Sequence, residues 1–440
     1  MLPKISNSFL SAGLIVMAAI PALLFGSARY WSVAISGTLA VALFMYGVFS
    51  FNPSRDGNPG KEQGLKFIVY AALALVVYLV FQMVPLPVSV LAPLHPRLAS
   101  LIELGQGASP ATHSITVYPF QTETALARLI VYLMVFFTAA FFLRGRRAVF
   151  RVLKGLSIFG FALSLFAIVQ HVTWNGKIYW LCSYTPGGSP FGPFVDRDHF
   201  PGYMNMIVPL TLGVALASKE IGKKVLYAFF AVVMTLAVFL SLSRGGVISF
   251  ICGLAVFSAI LVVRRGPKWQ FMVLALFAIA LVSFVLYAGA SPLIARFKAD
   301  QISDEGRLLA WKGTLAAFRD FPVFGAGFGT FENVFALYQP AGLQKIWEHA
   351  HNDYLELLLE GGLVGVLIAG VFIYAVLKRA FRGRGGWQGD AAYLKAGFIA
   401  SIVTISVHSI FDFNLHVPSN AILLSIILGL AVSGASKFEI

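Results

Sequence analysis

The sequence predicts an all-α polytopic membrane protein of about 12 transmembrane helices, with cytoplasmic N- and C-termini and large outer-face loops. Three observations carry this. Of 440 residues, 58% are hydrophobic and only 12% are charged, a balance that no set of soluble domains can bury. Apolar runs of roughly 20 residues, long enough to cross a bilayer, recur from one end of the chain to the other. The basic residues gather at alternate joints between those runs, as the positive-inside rule requires.

In chain order the apolar runs cover 9–27, 31–50, 66–87, 124–143, 149–170, 201–218, 225–242, 246–263, 269–289, 355–377, 393–411 and 417–434. Lys4 followed by an apolar stretch resembles a signal peptide, but Pro21 and the lack of a small-residue cleavage site before Trp31 favour a retained first helix. With the N-terminus inside, the Arg144–Arg151 cluster, Lys219, Lys223, Lys224, Arg264, Arg265 and the Lys378–Arg384 cluster all face the cytoplasm. The opposite orientation reverses the rule at nearly every joint. The formal net charge of +14 is therefore mostly a membrane address, and no nucleic-acid partner is expected. Cys182 and Cys252 form neither a CxxC nor a paired metal motif, so no disulfide framework is implied.

The outer side receives the long connections 88–123, 171–200 and 290–354. Conduction alone has little use for so long an outer segment, and the asymmetry points to chemistry or recognition at that face. Two regions follow: 1–195, N-terminal helices with two outer loops, and 196–440, a catalytic membrane region that includes 290–354. No inverted pair of broken helices stands out, which argues against a secondary transporter.

Four outer stretches carry the polar residues. In the first, Asp196, Arg197, Asp198 and His199 precede PGYMNM, and the four either bind a glycan or pair with one another at a helix entrance. Trp174, Tyr179 and Trp180 in the same loop suit headgroup anchoring and also the apolar faces of sugars. In SLSRGG, Arg244 stands at the outer boundary with no acidic neighbour in its short joint. It either snorkels to lipid phosphate or clamps an anionic ligand, its following glycines leaving room.

The third stretch, ISDEGRLLAWKGTLAAF, reads as a helix over about 303–318 on which Arg307, Trp311 and Thr314 share a face. The arginine is a second anion clamp if that face lines a cavity, and a cation–π partner if it does not. Beyond it, FGAGFGTF has glycine spacing resembling a phosphate loop but reads mainly as a tight outer turn. The fourth, EHAHNDYLELLLEGG, is the densest polar cluster. His349, His351 and Asp353 alternate as ligands on a strand would, yet a helix starting near His351 puts Asn352, Glu356 and Glu360 on one stripe with Tyr354 beside them. His351 is then placed to take a proton from a hydroxyl near neutral pH. Near the end, His408 and Asp412 have helical spacing and either line a cavity floor or lock two helices together.

Arg244 in SRGG, Arg307 in GRLLAW and His351 in HNDYLELLLEGG together resemble the O-antigen ligase and polymerase family of bacterial membrane glycosyltransferases, from about residue 196 onward. The resemblance implies an inner-membrane enzyme with a periplasmic active site. Its donor is a glycan on undecaprenyl diphosphate, Arg244 and Arg307 hold the diphosphate, and His351 is the base. It implies a metal-independent transfer to a saccharide acceptor, either lipid A-core (ligase) or a second lipid-linked repeat (polymerase). Arg197, His199, Trp311, Asn352, Tyr354, Glu356 and Glu360 are the expected substrate-binding residues. A transporter or flippase of lipid-linked saccharide is the alternative from another class. It needs polar residues at mid-membrane depth on several spans, whereas the charges here gather at the rim.

Overall fold

The computed structural model describes residues 7–27, 29–50, 59–105, 111–184, 188–263, 301–343, 347–381 and 389–437. Its helices are α1 (Asn7–Leu23), α2 (Tyr30–Phe49), α3 (Pro59–Met83), α4 (Val88–Leu94), α5 (Pro96–Gly105), α6 (Pro119–Phe137, continued by a π turn Thr138–Phe142) and α7 (Arg146–Val172). There follow α8 (His199–Ala217), α9 (Ile221–Leu240), α10 (Arg244–Val263), α11 (Gln301–Asp320), α12 (Phe331–Phe335), α13 (Asp353–Phe381), α14 (Ala391–His408) and α15 (Pro418–Lys437). Among the described residues, 9 helices are long and apolar enough to cross a membrane, with α1 and Pro418–Ser433 as shorter apolar helices. The chain is a polytopic, mostly α-helical membrane protein. The expected span 269–289 lies outside the described residues.

Boundaries moved where proline decides them. The span expected over 66–87 stops at Met83, because Pro85 and Pro87 cannot donate to a helix ladder. They form instead a short strand, β1 (Pro85–Pro87), antiparallel to β2 (Thr112–Ser114) with Leu86 opposite His113, the one named sheet among the described residues. Proline also opens α6 at Pro119, five residues before the apolar run, where a missing N–H costs nothing.

The described chain packs as two compact units. Unit 1 comprises Met1–Gly57, Met134–Ala299 and Arg379–Ile440, and unit 2 comprises Asn58–Leu133 and Asp300–Lys378. These interleave the expected regions 1–195 and 196–440.

The axis of unit 1 is α8, buried from Phe200 to Ala217. Its interior Pro209 has no N–H, which frees the carbonyl of Asn205 one turn earlier. Thr404 on α14 supplies the missing donor at 2.9 Å, and Ser401 donates to Met206 O at 2.6 Å. In hydrocarbon a freed carbonyl needs such a partner. The helices approach this closely because Gly213 and Gly397 face backbone: a Cβ on either would lie 2.8 Å from Tyr393 O or Pro209 O. Unit 2 has its own core, in which Leu91, Ile115, Phe321, Phe331, Phe335 and Leu359 are fully buried around α11, α12 and the start of α13.

Candidate functional site

In unit 2 the helix expected near 303–318 is α11, and it positions Arg307 and Trp311 one turn apart. Trp311 donates its indole N–H to Ala350 O at 3.0 Å, which docks the segment before α13 onto this helix. Trp347 completes the corner. Its ring stands edge-on to His351 with centroids 5.4 Å apart, and a Cβ on Gly306, next to Arg307, would meet it at 3.3 Å. Arg307 and His351, 44 positions apart in the chain, therefore belong to one corner of the unit. Thr314 does not join them: its hydroxyl donates to Ala310 O at 2.8 Å within α11 and is buried.

His351 sits at φ +49°, a left-handed conformation that costs a non-glycine residue about 1–2 kcal/mol. The residues around it hold that geometry. Asn352 is the N-cap of α13, its Oδ1 accepting from the amides of Tyr354 at 3.0 Å and Leu355 at 3.1 Å. Glu356, one turn in, accepts from Ala350 N at 3.0 Å and pairs with His349 Nδ1 at 2.7 Å. The helix thus begins at Asp353 rather than at His351, and His351 projects from the connection that feeds it.

Two expected substrate-binding residues, Asn352 and Glu356, also hold the helix entrance. Both are buried: Asn352 satisfies the first amides of α13, and Glu356 holds Ala350 N and His349 in the segment that leads into it. Glu360, also expected to bind substrate, is 2% exposed and accepts from Phe331 N at 2.9 Å, capping α12. Tyr354 differs: it is 48% exposed and faces outward.

The glycine stretch expected as an outer turn is an internal clasp. Gly325, Gly327 and Gly329 all have positive φ, and the chain here pairs with α13 where that helix breaks at Gly362 (φ +60°). Ala326 N donates to Leu359 O at 2.9 Å, Gly327 N to Glu360 O at 3.0 Å, and Leu363 N to Pro322 O at 2.9 Å. Any Cβ on Gly325 or Gly362 would collide with the opposing backbone. Two α3 residues satisfy the carbonyls released by the break. Tyr78 donates to Gly361 O at 2.7 Å, and Gln82 to Glu360 O at 3.0 Å and Phe324 O at 2.8 Å. Neither residue stood out in the sequence, though a Tyr and a Gln one turn apart inside an apolar span is the kind of signal that marks intramembrane hydrogen bonding.

Unit 1 holds the other polar cluster. Arg244 is the first residue of α10, capped by Ser243, whose Oγ accepts from Gly246 N at 3.1 Å. The glycines after it serve packing as much as access. A Cβ on Gly246 would lie 2.6 Å from Pro201 Cβ, and one on Gly245 would lie 3.0 Å from Phe411 Cβ and 3.4 Å from His408 Nε2. The start of α10 therefore sits against the start of α8 and the end of α14.

His199 opens α8 with Nε2 3.8 Å from Asp412 Oδ2 and its ring edge-on to Phe413. Asp412 is 2% exposed and is approached by Asn414 Nδ2 at 3.4 Å, which Asn420 joins through Asn414 Oδ1 at 2.9 Å. The expected helical spacing of His408 and Asp412 persists past the end of α14, Asp412 N donating to His408 O at 3.1 Å. Asp412 lies in the following turn and its side chain goes to His199. Asp196 Oδ1 accepts from Asp198 N at 2.8 Å. Burial pushes the Asp196 carboxyl above the usual range; the His199 imidazole opposes this, while Asp198 and Asp412 add to it. Arg197, beside them, has a buried Nε without a hydrogen-bond partner among the described residues.

The geometry joins Arg307, Trp311 and His351 in unit 2, and Arg244, His199 and Asp412 at one end of unit 1. The sequence profile of the O-antigen ligase family matches residues 229–370. That stretch is roughly a third of the chain and contains Arg244, Arg307 and His351. No curated protein matches the chain. This polytopic membrane protein thus contains a stretch similar to the O-antigen ligase family.

Proposed function

We propose that this protein is a glycosyltransferase of the bacterial inner membrane, working at the periplasmic face. It moves a glycan from undecaprenyl diphosphate to an acceptor hydroxyl, in the manner of an O-antigen ligase with lipid A-core as acceptor. The observation that carries this reading is the setting of His351. A histidine with a strained backbone, its ring edge-on to Trp347 and its segment docked by Trp311 one turn along the helix from Arg307, lies inside the stretch matching the O-antigen ligase profile. Strain of this kind persists where the surroundings over-determine it, and it is concentrated at active sites.

In this reading the acceptor oxygen attacks the anomeric carbon while the bond from that carbon to the diphosphate oxygen breaks. Undecaprenyl diphosphate leaves with the electron pair, and the acceptor proton passes to a ring nitrogen of His351. A neutral imidazole is the right base because its ordinary pKa lies near the working pH. Arg244 and Arg307 hold the diphosphate oxygens, where a guanidinium fork supplies parallel charge-assisted hydrogen bonds and stabilises charge as it develops. A diphosphate leaves readily as an anion and needs little acid assistance, so positioning dominates the rate. One displacement inverts the anomeric centre. Tyr354, exposed beside His351, offers a ring for an acceptor sugar.

The test is reconstitution of the purified chain in lipid with defined undecaprenyl diphosphate-linked repeats, with and without lipid A-core, products being resolved by size. Transfer that requires core supports the ligase reading. A ladder on the lipid carrier without core replaces it with a polymerase, and no glycan transfer to any hydroxyl acceptor overturns the enzyme.

A further inference from the structure

At the end of unit 1 remote from Arg244, a cavity of about 510 Å³ opens between α7, the joint of α8 and α9, and the start of α14. The helix α9 begins at this cavity and spans 20 residues before the joint that leads to Arg244, or about 30 Å of helix, the thickness of a bilayer's hydrocarbon core. Arg146, Arg147, Arg151, Lys154, Lys219 and Lys223 line it. The positive-inside rule needs such charges on loops, but it does not need them to converge on one hollow from separate elements.

The convergence has a cost that a ligand would offset. Arg147, Arg151 and Lys154 fall at i, i+4 and i+7 of α7, so like charges occupy one stripe and repel. Two of the three are anchored rather than free to swing away. Arg151 Nη1 donates to Ser8 Oγ at 3.1 Å, and Lys154 Nζ stands 4.6 Å over the Phe150 ring. Among the described residues lining the cavity, only Glu220 and Asp390 bring negative charge, and Glu220, 68% exposed, is paired with Lys223 at 2.6 Å. The helices α7, α9 and α14 also begin here, and none has a side-chain hydrogen bond capping its start; at α7 the capping position is Gly145, which has no side chain to offer. Their partial positive ends add to the field of the side chains.

A second feature says what kind of anion fits. Beside the cavity rim, Ile221, Val225 and Phe229 are exposed by 75%, 62% and 53% along the outward face of α9. A soluble phosphate makes no use of that apolar track, whereas acyl chains do. We propose that the cavity binds the phosphodiester headgroup of an anionic phospholipid, with the lipid's chains lying along α9 in the leaflet opposite Arg244. Basic hollows between transmembrane helices have this capacity in general. The proposal is independent of the glycosyl-transfer reading.

The test uses the full chain in mild detergent and native mass spectrometry, with cardiolipin, phosphatidylethanolamine and inorganic phosphate as probes. Cardiolipin is expected to be retained in preference to phosphatidylethanolamine and to resist excess inorganic phosphate. Arg147→Gln, Arg151→Gln and Lys154→Gln combined should weaken retention on the order of a hundredfold, roughly fivefold per charge, while Lys378→Gln, outside the cavity, leaves it unchanged. Glu220→Gln keeps every cation and should tighten retention severalfold, a result that does not depend on the triple variant folding. Equal retention of phosphatidylethanolamine, displacement by phosphate, a triple variant no weaker than Lys378→Gln, or no effect of Glu220→Gln each overturns the proposal.

Discussion

Trp311 and Ala350 are joined by one hydrogen bond of 3.0 Å from indole to carbonyl, and through it α11, which carries Arg307, is tied to the chain entering at His351. Replacing Trp311 by Phe keeps most of the ring and removes the donor, leaving a buried carbonyl at Ala350, which is fully inaccessible. That substitution should cost about 1–3 kcal/mol of stability. Because the bond sets the position of the proposed base, glycan transfer should fall by at least about tenfold with the acceptor KM little changed. A stability loss with turnover intact would show that the bond serves the fold alone.

The positive φ of His351 separates its two roles. His351→Gly and His351→Ala both delete the imidazole and should lower transfer by about 10²- to 10⁴-fold. Only the alanine is strained at φ +49°, so the glycine variant should be the more stable of the two by about 1 kcal/mol in thermal unfolding. Added imidazole should restore part of the activity of the glycine variant. Full activity in both variants excludes His351 as the base.

The break in α13 makes a sharper structural test. Gly362→Ala places a Cβ against Gly325 N and Val323 O at φ +60°, with no side chain able to yield. Gly370, in the same helix, has nothing within 4 Å of the corresponding position. Gly362→Ala should lose several kcal/mol, or fail to accumulate in the membrane, whereas Gly370→Ala should be neutral or stabilising by up to about 1 kcal/mol. Fluorescence-detected size exclusion of the two variants reads the difference, and similar behaviour would contradict the clasp.

These residues also mark what a sequence can carry. The spans were legible because lipid imposes both length and composition, and each expected run within the described residues became a helix. Arg307 and Trp311 were legible as one face because helical spacing is local. The choice between His351 and Asn352 as the helix entrance was not, since it turns on a backbone angle and on which side chain reaches two amides. Glu360 and Gln82 were further out of reach. Their partners, Phe331 and the carbonyls at Phe324 and Glu360, are set by a helix break whose closing strand of chain lies elsewhere in the sequence. The helical spacing of His408 and Asp412 was legible and is kept by the bond from Asp412 N to His408 O, whereas the approach of Asp412 to His199, on another helix, was not.

His95 supplies the last prediction, and it concerns pH. The residue lies between α4 and α5, outside the spans, 1% exposed, with rings of Phe321 and Phe324 at 5.9 and 6.1 Å. Neither ring nitrogen has a hydrogen-bond partner among the described residues, and burial holds its pKa below the ordinary 6.5. In the unfolded chain the imidazole takes up a proton as pH falls through 6.5, while in the folded chain it still resists. The stabilisation is therefore fully present above 6.5 and is lost progressively as pH drops toward the lower folded value. His95→Phe removes the titration and keeps an aromatic ring in the same apolar site. Melting temperatures of the two proteins in lipid should run parallel from about pH 8 down to about pH 7 and then diverge, the parent falling faster toward about pH 5. Parallel curves over the whole range would mean that another group accepts the proton or that water reaches the ring.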